Sequence, residues 1–453
     1  MLGLDLGSSS VRALVMDAGT MDPVPGLLAR REVRLVQGPD GSAEFDADDY
    51  LAAVVSCVDE LSGALDGVGL VATAAQWHSL LGVTTTGKPI GPGLSWLDTR
   101  PVRIGSGPAD PAAFHTRTGA WWHPFYWPVR LRWLLSRGVT AERWLGLPEY
   151  VTLRLLGTGE ASVSSASGTG ALDTVHCGWD PEAVALAGVP LDSLPGLLPD
   201  GWTGRLVPEY ARRWPSLASA DWTAPLGDGA ASAIGSGCPR PDRVSITVGT
   251  SAAVRVVVPG APEPGPAVWR YRVDTRSSLL GVAYSAGGAL YEWLNRVLPP
   301  GAADVADRVP GDHGLVVLPY LAGHRPPHEL RGQGGTVHGL RLSTTSGDVA
   351  AAVLEGLCHE IADGVAAVAP EAQPILGGGA VAASPWLARR LAAALPPGTR
   401  LVTTAEVSAR GAAMVATGRY PDPPLVPVEQ TDAERAAMAA AGELHRALRS
   451  RLI

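Results

Sequence analysis

The stretch Leu4–Val15, LDLGSSSVRALV, has a counterpart in the second half of the chain, Ile246–Val257, ITVGTSAAVRVV. Each copy has an apolar strand, a glycine turn with hydroxyl side chains, an arginine and a second strand. The arginine lies one position further from the glycine in the second copy, so the match is approximate. A repeated unit that opens each half predicts a duplicated domain with a central cleft between the copies. We place the domains at residues 1–222 and 223–453.

Bulk composition supports two soluble domains. A length of 453 residues exceeds what one hydrophobic core usually spans, and 46% hydrophobic residues provide ample core. Apolar strand-like runs alternate with Ala- and Leu-rich helical stretches, which predicts an α/β fold. The formal net charge of −8 argues against a nucleic-acid-binding surface, which needs a basic footprint.

Cysteine usage and the N-terminus indicate a reducing, intracellular location. The four cysteines are far apart and form no CxxC pair, so disulfides and a structural zinc site are not expected. The chain opens on a strand-like run without a signal-type segment. No run reaches the roughly 18 apolar residues of a membrane span. We therefore expect a cytoplasmic protein without a membrane partner.

The two glycine turns are candidate phosphate-binding sites. Gly with Ser or Thr presents backbone N–H groups and hydroxyls with little steric obstruction, which suits phosphate oxygens. One such turn alone is more often an ordinary β-hairpin. A Walker A loop is excluded because it needs Gly-Lys-Ser/Thr, whereas the one lysine, Lys88, is followed by Pro89. Hairpins and arginines must therefore hold any nucleotide phosphates.

Two aspartates are candidates for chemistry. Asp5 lies on an apolar strand just before its glycine turn, where a carboxylate needs a partner. It is a candidate ligand for Mg²⁺, or a structural residue that accepts from turn amides. Asp228 lies in Gly227–Gly237, a turn that enters a helix of small residues. Near a helix N-terminus it is a candidate general base for an acceptor hydroxyl, although a Gly-Asp-Gly turn is often only a turn.

Further motifs occur in each half. A strand at Ile375–Val381 carries three glycines that leave room for a flat purine, or simply precede a helix. In the first half, tryptophans adjoin histidine, aspartate and arginine, as in Trp77-His78 and Trp122-His123. Aromatic faces beside such polar groups are typical of a polyol pocket, whereas any single Trp is more often packing.

Two helices are predicted from spacing alone. Apolar residues recur every fourth position from Val349 to Val365, which gives one buried stripe. Thr431 and Glu434 have capping-box spacing before a final helix, after the Pro-rich break at 421–424.

Together and in this order, these segments resemble the FGGY carbohydrate kinases. The resemblance implies two actin-like ATPase domains of ribonuclease H-like fold, with the sugar site mainly in the first and the nucleotide base in the second. It implies ATP and Mg²⁺ as cofactors, Asp228 as the catalytic base and Asp5 near the metal. It also implies sugar contacts from Trp77, His78 and His123. The nucleotide-binding residues that it implies are Ser8, Ser9, Ser10, Arg12, Gly249, Thr250, Gly288, Gly378 and Gly379.

The substrate is expected to be a sugar or sugar acid. His78-Ser79-Leu80 and Asp228-Gly229 look most like the gluconate kinase branch, which predicts conversion of D-gluconate to 6-phosphogluconate. A ketopentose kinase of the xylulose or ribulose type is the alternative enzyme. An actin-like ATPase or a sugar-binding regulator is the alternative from another class. Family habit indicates a homodimer.

The chain departs from the family pattern at four positions. His324 replaces the Glu of a Gly-Glu-Arg element in the signature that ends at Arg325. Trp77 replaces a Met, Arg130 a Lys in the sugar-domain signature, and Ala383 an Asn near adenine. These changes leave the proposed base and hairpins intact, so we expect an active enzyme. Trp77 bears most on the substrate because its size is expected to shrink the pocket.

Overall fold

A computed structural model describes nearly the whole chain. The described residues are 1–303, 305, 308–321, 323, 325–326 and 334–452. Strands and helices alternate through them.

The first half is built around a sheet with helices packed on it. Its strands are β1 (Leu2–Leu6), β2 (Ser10–Met16), β3 (Pro23–Glu32), β4 (Val36–Gln37), β5 (Ala43–Phe45), β6 (Leu70–Ala75), β7 (Leu81–Val83), β8 (Gly93–Leu94), β9 (Arg143–Leu145), β10 (Leu172–Asp173), β11 (Gly178–Trp179), β12 (Thr203–Gly204), β13 (Asp221–Thr223) and β14 (Leu226–Gly227). Its helices are α1 (Ala47–Leu61), α2 (Pro111–Thr118), α3 (Trp127–Ser136), α4 (Leu147–Leu156), α5 (Val163–Ser167), α6 (Pro181–Ala187) and α7 (Pro208–Arg213).

The second half repeats this plan. Its strands are β15 (Arg243–Val248), β16 (Ala252–Pro259), β17 (Trp269–Arg272), β18 (Ser277–Tyr284), β19 (Val316–Leu318), β20 (Thr336–His338), β21 (Gln373–Gly377), β22 (Arg400–Val402) and β23 (Leu425–Pro427). Its helices are α8 (Asp228–Gly235), α9 (Ala289–Val297), α10 (Ser346–Val368), α11 (Gly379–Ala383), α12 (Pro385–Ala394), α13 (Val407–Thr417) and α14 (Asp432–Leu452).

The two main sheets share one topology. In the first, β3, β2 and β1 are antiparallel neighbours, and β6 and β13 follow in parallel with β1. In the second, β18, β16 and β15 are antiparallel neighbours, and β21 and β22 follow in parallel with β15. The crossover helix is α1 in one case and α10 in the other. The predicted duplication and α/β class are therefore confirmed.

Burial explains why the hairpin strands are so apolar. β1 lies between β2 and β6, and every residue of it is buried, including Asp5. A strand covered on both faces needs a nearly continuous apolar run, which LGLDL provides. β14 follows the predicted boundary at residues 222 and 223, yet it pairs with β6, so the first sheet continues to Gly227. The boundary itself stays a prediction.

The halves meet where α8 crosses α13. A Cβ on Gly235 would lie 1.8 Å from the carbonyl oxygen of Val407, and one on Gly411 would lie 1.9 Å from that of Ala231. Only glycine permits backbones this close. The small residues of α8 therefore serve the approach of another helix, and this contact places the N-terminus of α8 beside the first sheet.

Both helices predicted from spacing are confirmed. In α10, Val353, Leu357, Ile361 and Val365 are buried, as the apolar stripe requires. Before α14, the amide of Glu434 donates to the hydroxyl of Thr431 at 3.2 Å, and the amide of Thr431 donates to the Glu434 carboxylate at 2.8 Å. Across the described residues, helices that combine the length and the apolarity of a membrane span do not occur.

Candidate active site

The first glycine turn joins β1 to β2. The amide of Gly7 donates to the carbonyl of Ser10 at 3.1 Å, and the hydroxyl of Tyr50 donates to the carbonyl of Gly7 at 2.6 Å. Ser8 and Ser9 form the accessible part of the turn, whereas Ser10 begins β2 and is buried. The turn is thus anchored from below and presents its hydroxyls and amides outward.

Asp5 and Arg12 are direct neighbours across β1 and β2. The Arg12 guanidinium lies 3.1 Å from the Asp5 carboxylate and 3.2 Å from that of Glu406, the residue that precedes α13. Burial raises the pKa of Asp5 to about 7; the Arg12 charge opposes that shift, and the nearby Asp228 and Glu406 carboxylates add to it. Three carboxylates therefore share one region with few compensating cations.

This excess of buried negative charge suits a divalent cation. Mg²⁺ in phosphoryl-transfer sites is usually held by one or two carboxylates together with phosphates and water. Asp5 is the carboxylate at the phosphate turn, so it fits the predicted role. In the part of the chain that the structure describes, groups of three or more metal-ligating side chains are absent.

The second glycine turn is held by the segment before α9. The amides of Gly287 and Ala289 donate to the carbonyl of Thr250 at 2.9 and 3.2 Å, and that of Gly288 donates to the carbonyl of Gly249 at 2.6 Å. A Cβ on Gly288 would lie 2.9 Å from the Gly249 oxygen. The structure thus brings together Gly249, Thr250 and Gly288.

The glycine triplet lies against the same hairpin. Gly378 has φ +99°, and a Cβ there would lie 2.8 Å from the carbonyl oxygen of Val248, so only glycine fits. A Cβ on Gly379 would meet nothing within 4 Å, so this position opens α11 toward free space. Ala383, one of the family departures, ends α11.

Asp228 is the first residue of α8 and directly follows β14. Its Oδ1 accepts from the amide of Gly229 at 2.7 Å, and the nearby backbone N–H of Trp77 also favours the charged carboxylate. Burial raises the pKa of Asp228, against the charge of Arg255 and these amides. The result is a carboxylate held in one orientation with a proton affinity above the ordinary value.

Arg255 had no role assigned from the sequence, although it was visible as the arginine of the second hairpin. It donates to the hydroxyl of Thr247 at 2.8 Å, and a Cβ on Gly229 would lie 3.0 Å from its Nε. Among the described residues, that buried Nε has no hydrogen-bond partner. Arg255 therefore brings an incompletely satisfied cation beside Asp228.

Trp77 is wedged between the glycines that flank Asp228. A Cβ on Gly227 would lie 1.9 Å from the indole Cε2, and one on Gly229 would lie 2.6 Å from its Cζ3. The indole N–H donates to the carbonyl of Ser164 at 2.9 Å. The ring thus packs against both sides of the Asp228 turn and holds it in place.

His78 and His123 lie in a cluster of rings with Phe125 and Tyr271, which we call the aromatic pocket. The His78 ring centroid is 4.3 Å from that of Phe125 and 5.5 Å from that of Tyr271, and its backbone has φ +67°, which is rare outside glycine. Burial, reinforced by nearby arginines, lowers the pKa of His78 well below its usual range and that of His123 to about 3. Both imidazoles are therefore neutral hydrogen-bonding groups at neutral pH.

The departure at Arg130 is structural. Its guanidinium is fully buried and donates to five backbone carbonyls, among them those of His78 at 2.9 Å and Ser95 at 3.0 Å. Asp98 is likewise committed, because it pairs with Arg100. The departure at His324 lies outside the described residues.

Arg325 and Glu406 are candidate site residues that sequence reasoning did not single out. Arg325 closes a signature already noted, which was the available signal, and its guanidinium lies over Trp96 and Phe125. For Glu406 no local signal exists, because its role depends on a contact with a residue far away in the chain.

Two glycine hairpins on sheets of one repeated topology, with the half-buried Asp228 beside them, define the class as a two-domain protein of the actin-like ATPase fold. The family model described as "FGGY family of carbohydrate kinases, N-terminal domain" matches residues 1–235, and the C-terminal domain model matches residues 244–418. The chain belongs to the FGGY family of carbohydrate kinases and is a sugar kinase.

Relatives of two substrate classes are similar to this chain. The gluconokinase of Bacillus subtilis (strain 168) is 24% identical over 392 residues, covering 80% of this chain and 75% of its own length. The xylulose kinase of Streptomyces rubiginosus is 28% identical over 432 residues, covering 92% of this chain and 87% of its own. The crystal structure of a gluconate kinase from Lactobacillus acidophilus superposes with a TM-score of 0.88 at 22% identity, covering 100% of this chain and 97% of that one.

Proposed function

We propose that the protein transfers the γ-phosphoryl group of ATP, with Mg²⁺, to a hydroxyl of a sugar or sugar acid, and that D-gluconate is its best candidate acceptor. One observation carries the proposal: the glycines that flank Asp228 contact Trp77 of the aromatic pocket and Arg255 of the second hairpin, and the Asp228 charge helps to raise the pKa of Asp5 on the first hairpin. A single carboxylate thus adjoins both phosphate turns and the acceptor side.

The nucleotide is assigned to the two hairpins. ATP is the donor that the family implies. Ser8, Ser9 and Arg12 would receive its terminal phosphates, with Ser10 supporting the turn from below. In the second half, Gly249, Thr250 and Gly288 would receive phosphate oxygens, and Gly378 and Gly379 would admit adenosine.

Asp5 is assigned to the metal. Mg²⁺, when bound, would neutralise phosphate charge and draw electron density from the γ-phosphoryl group. Asp5 has a pKa raised by burial among other carboxylates, so replacing its proton by a cation relieves that repulsion. Arg12, paired with Glu406, would then be available to phosphate oxygens.

Asp228 is assigned as the general base. The amides of Gly229 and Trp77 hold its carboxylate, and its raised pKa brings its proton affinity closer to neutral pH, which favours proton transfer. It orients the acceptor hydroxyl and takes its proton as the phosphoryl group moves in line. His78, His123 and the edge of Trp77 would position the remaining hydroxyls, and domain closure would exclude water.

Three rival functions are specific enough to test. A ketopentose kinase of the xylulose or ribulose type is supported by the 28% identity to a xylulose kinase over most of the chain. An actin-like ATPase or a sugar-binding regulator would use the same hairpins without phosphorylating a sugar. A half-buried Asp228 placed as a general base is not needed for either of these last two roles.

The test is ADP release by the purified protein with Mg·ATP and a panel of D-gluconate, other aldonates, xylulose, ribulose and glycerol. A signal with aldonates supports the proposal in full. Activity with a ketose alone keeps the kinase and replaces the acceptor. ATP hydrolysis that no sugar stimulates would instead support the ATPase.

A further inference from the structure

Arg325 reaches from the second half of the chain into the aromatic pocket of the first. Its guanidinium carbon lies 4.6 Å from the ring centroid of Trp96 and 5.0 Å from that of Phe125. Phe125 in turn contacts the ring of His78, one of the candidate acceptor-binding residues, at a tilt of 52°. The cation is therefore part of the same pocket rather than of the phosphate hairpins.

Arg325 lacks the partners that neighbouring arginines have. Arg100 pairs with Asp98 and Glu44, and Arg130 donates to backbone carbonyls alone. The buried Nε of Arg325 has no hydrogen-bond partner, and no ion pair to this side chain occurs among the described residues. A buried guanidinium without an acid is unfavourable unless a ligand supplies one.

The acidic side chains near Arg325 already pair with other arginines. Arg325 also lines a cavity of about 590 Å³ that contains Glu360 and Asp363. Arg449 lies 3.4 Å from Glu360 and 2.7 Å from Asp363, and Arg446 lies 3.3 Å from Asp363. These carboxylates therefore neutralise the arginines of α14 and leave the charge of Arg325 uncompensated.

The other titratable groups that face Arg325 in this pocket are the Arg130 guanidinium, which also lies over Phe125 but is held by backbone carbonyls, and two imidazoles. The charge of Arg325 helps to lower the pKa of His78 and His123, so neither imidazole competes as a cation, and the buried Nδ1 of His78 has no hydrogen-bond partner among the described residues. Burial lowers the pKa of Arg325 to about 10, so the side chain stays protonated at neutral pH. Of the two cations at these rings, Arg130 donates to backbone carbonyls, and Arg325 is the one whose Nε lacks a hydrogen-bond partner among the described residues.

An aromatic wall connects this charge to the proposed base. The ring centroid of Tyr271 is 5.0 Å from that of Trp77, which contacts both glycines beside Asp228, and 5.5 Å from that of His78. The pocket therefore has a carboxylate for a hydroxyl at one end and a guanidinium at the other.

We propose that Arg325 binds the carboxylate of the acceptor, and hence that the acceptor is a sugar acid phosphorylated at the hydroxyl remote from that carboxylate. This inference rests on the proposed kinase function. In the reaction, the bond between the γ-phosphorus and the oxygen of ADP breaks as the bond to the acceptor oxygen forms. The hydroxyl proton passes to Asp228.

The test compares acids with neutral polyols of the same carbon chain. Steady-state kinetics are measured with D-gluconate against D-glucitol and D-xylonate against xylitol, for wild type, Arg325→Gln and Arg325→Lys. We expect Arg325→Gln to raise KM for the acids about 10–100-fold, the range of a charged hydrogen bond, and to change that for the polyols by less than about 3-fold. Arg325→Lys keeps the charge without the planar fork, so its KM is intermediate.

Arg137→Gln is the matched control. Arg137 also lies over a tryptophan, with its guanidinium carbon 5.9 Å from the ring centroid of Trp133, but it is exposed at the end of α3. Its kinetics should equal those of wild type. Thermal unfolding of each variant shows whether a change in KM reflects loss of fold.

Direct binding measurements distinguish a failure of the Arg325 assignment from a failure of the kinase proposal. Equilibrium dialysis with radiolabelled D-gluconate and D-xylonate needs no turnover. If wild type phosphorylates ketoses or polyols but neither binds nor phosphorylates the acids, the inference about Arg325 is overturned while the kinase proposal stands. Equal loss of acids and polyols in Arg325→Gln overturns it as well. A third outcome is that wild type binds the acids, Arg325→Gln binds them more weakly, and no acceptor is phosphorylated. In that case Arg325 is still the carboxylate-binding residue, and the kinase proposal fails.

Discussion

Arg12 and Glu406 form a 3.2 Å ion pair between the first phosphate hairpin and the helix α13 of the second half. The same guanidinium pairs with Asp5. Because α13 also carries the close crossing with α8, the position of Arg12 is linked to the contact between the two halves. Glu406 itself has φ +53°, so the backbone is held in an unusual conformation to make this contact.

We therefore expect Glu406→Gln to weaken ATP binding by about 3–10-fold, since Arg12 loses one of its two anchors in a partly exposed pair. The change also removes a charge that raises the pKa of Asp5, so that pKa should fall. Nucleotide titration by calorimetry checks the affinity. Glu443→Gln, on the exposed face of α14, is the control and should bind ATP as wild type does.

The pKa of about 7 for Asp5 predicts a pH dependence of Mg·ATP binding. Below about pH 7 the carboxyl is protonated and cannot bind a cation, so affinity should rise as pH increases from about 6 to about 8. Asp5→Asn should bind Mg·ATP weakly and lose this part of the pH dependence. The γ-phosphate titrates in a similar range, so the measurement is the difference between wild type and variant at each pH. Parallel profiles would contradict the assignment of the metal to Asp5.

Gly379→Ala separates folding from nucleotide binding. A Cβ at this position meets nothing within 4 Å, so the thermal midpoint should stay within about a degree of wild type. If adenosine approaches here, the methyl group raises KM for ATP by about 3–10-fold without changing KM for the sugar. Gly69→Ala, also in open space but away from both hairpins, is the control. An unchanged KM for ATP would remove Gly379 from the nucleotide site.

Local patterns account for what the sequence predicts well. The two hairpins, the helix stripe from Val349 to Val365 and the Thr431 cap depend on residues near one another in the chain, so spacing alone identifies them. Asp228 is recognisable because its glycines and small helix are contiguous. By contrast, the contacts of Glu406 with Arg12 and of Arg325 with Trp96 join distant segments, and no periodicity encodes them.

The structure gives Trp77 a packing role against the Asp228 turn that the sequence did not predict. From the sequence it is a candidate wall of the sugar pocket. In the structure its indole fills the space beside Gly227 and Gly229, so it supports the turn of Asp228. Trp77→Met should therefore destabilise the fold by about 1–4 kcal/mol, within the range for large buried truncations, and lower kcat as the Asp228 turn loosens. Trp202→Met, at a half-exposed indole, is the control for stability.

Asp228→Asn distinguishes a catalytic base from a structural turn residue. The native carboxyl has a pKa raised above its unfolded value by burial, so the folded state binds protons more tightly than the unfolded state. Stability from this group is therefore greatest at low pH and is lost as pH rises through the folded pKa. At neutral pH the buried charge is a cost, which a neutral isostere removes. We expect the variant to melt at or above the wild-type temperature at about pH 7.5.

The turnover of Asp228→Asn should fall by about 10²–10⁴-fold, the usual contribution of general base catalysis, while its ATP binding stays close to that of wild type. Thermal unfolding, nucleotide titration and steady-state kinetics on one preparation provide all three readouts. A turn residue would give the reverse pattern, with a lower melting temperature and near-normal kcat. Retained stability together with lost turnover is the combination expected of a group that acts on the acceptor hydroxyl, because the side-chain oxygen of Asn can still accept from the amide of Gly229.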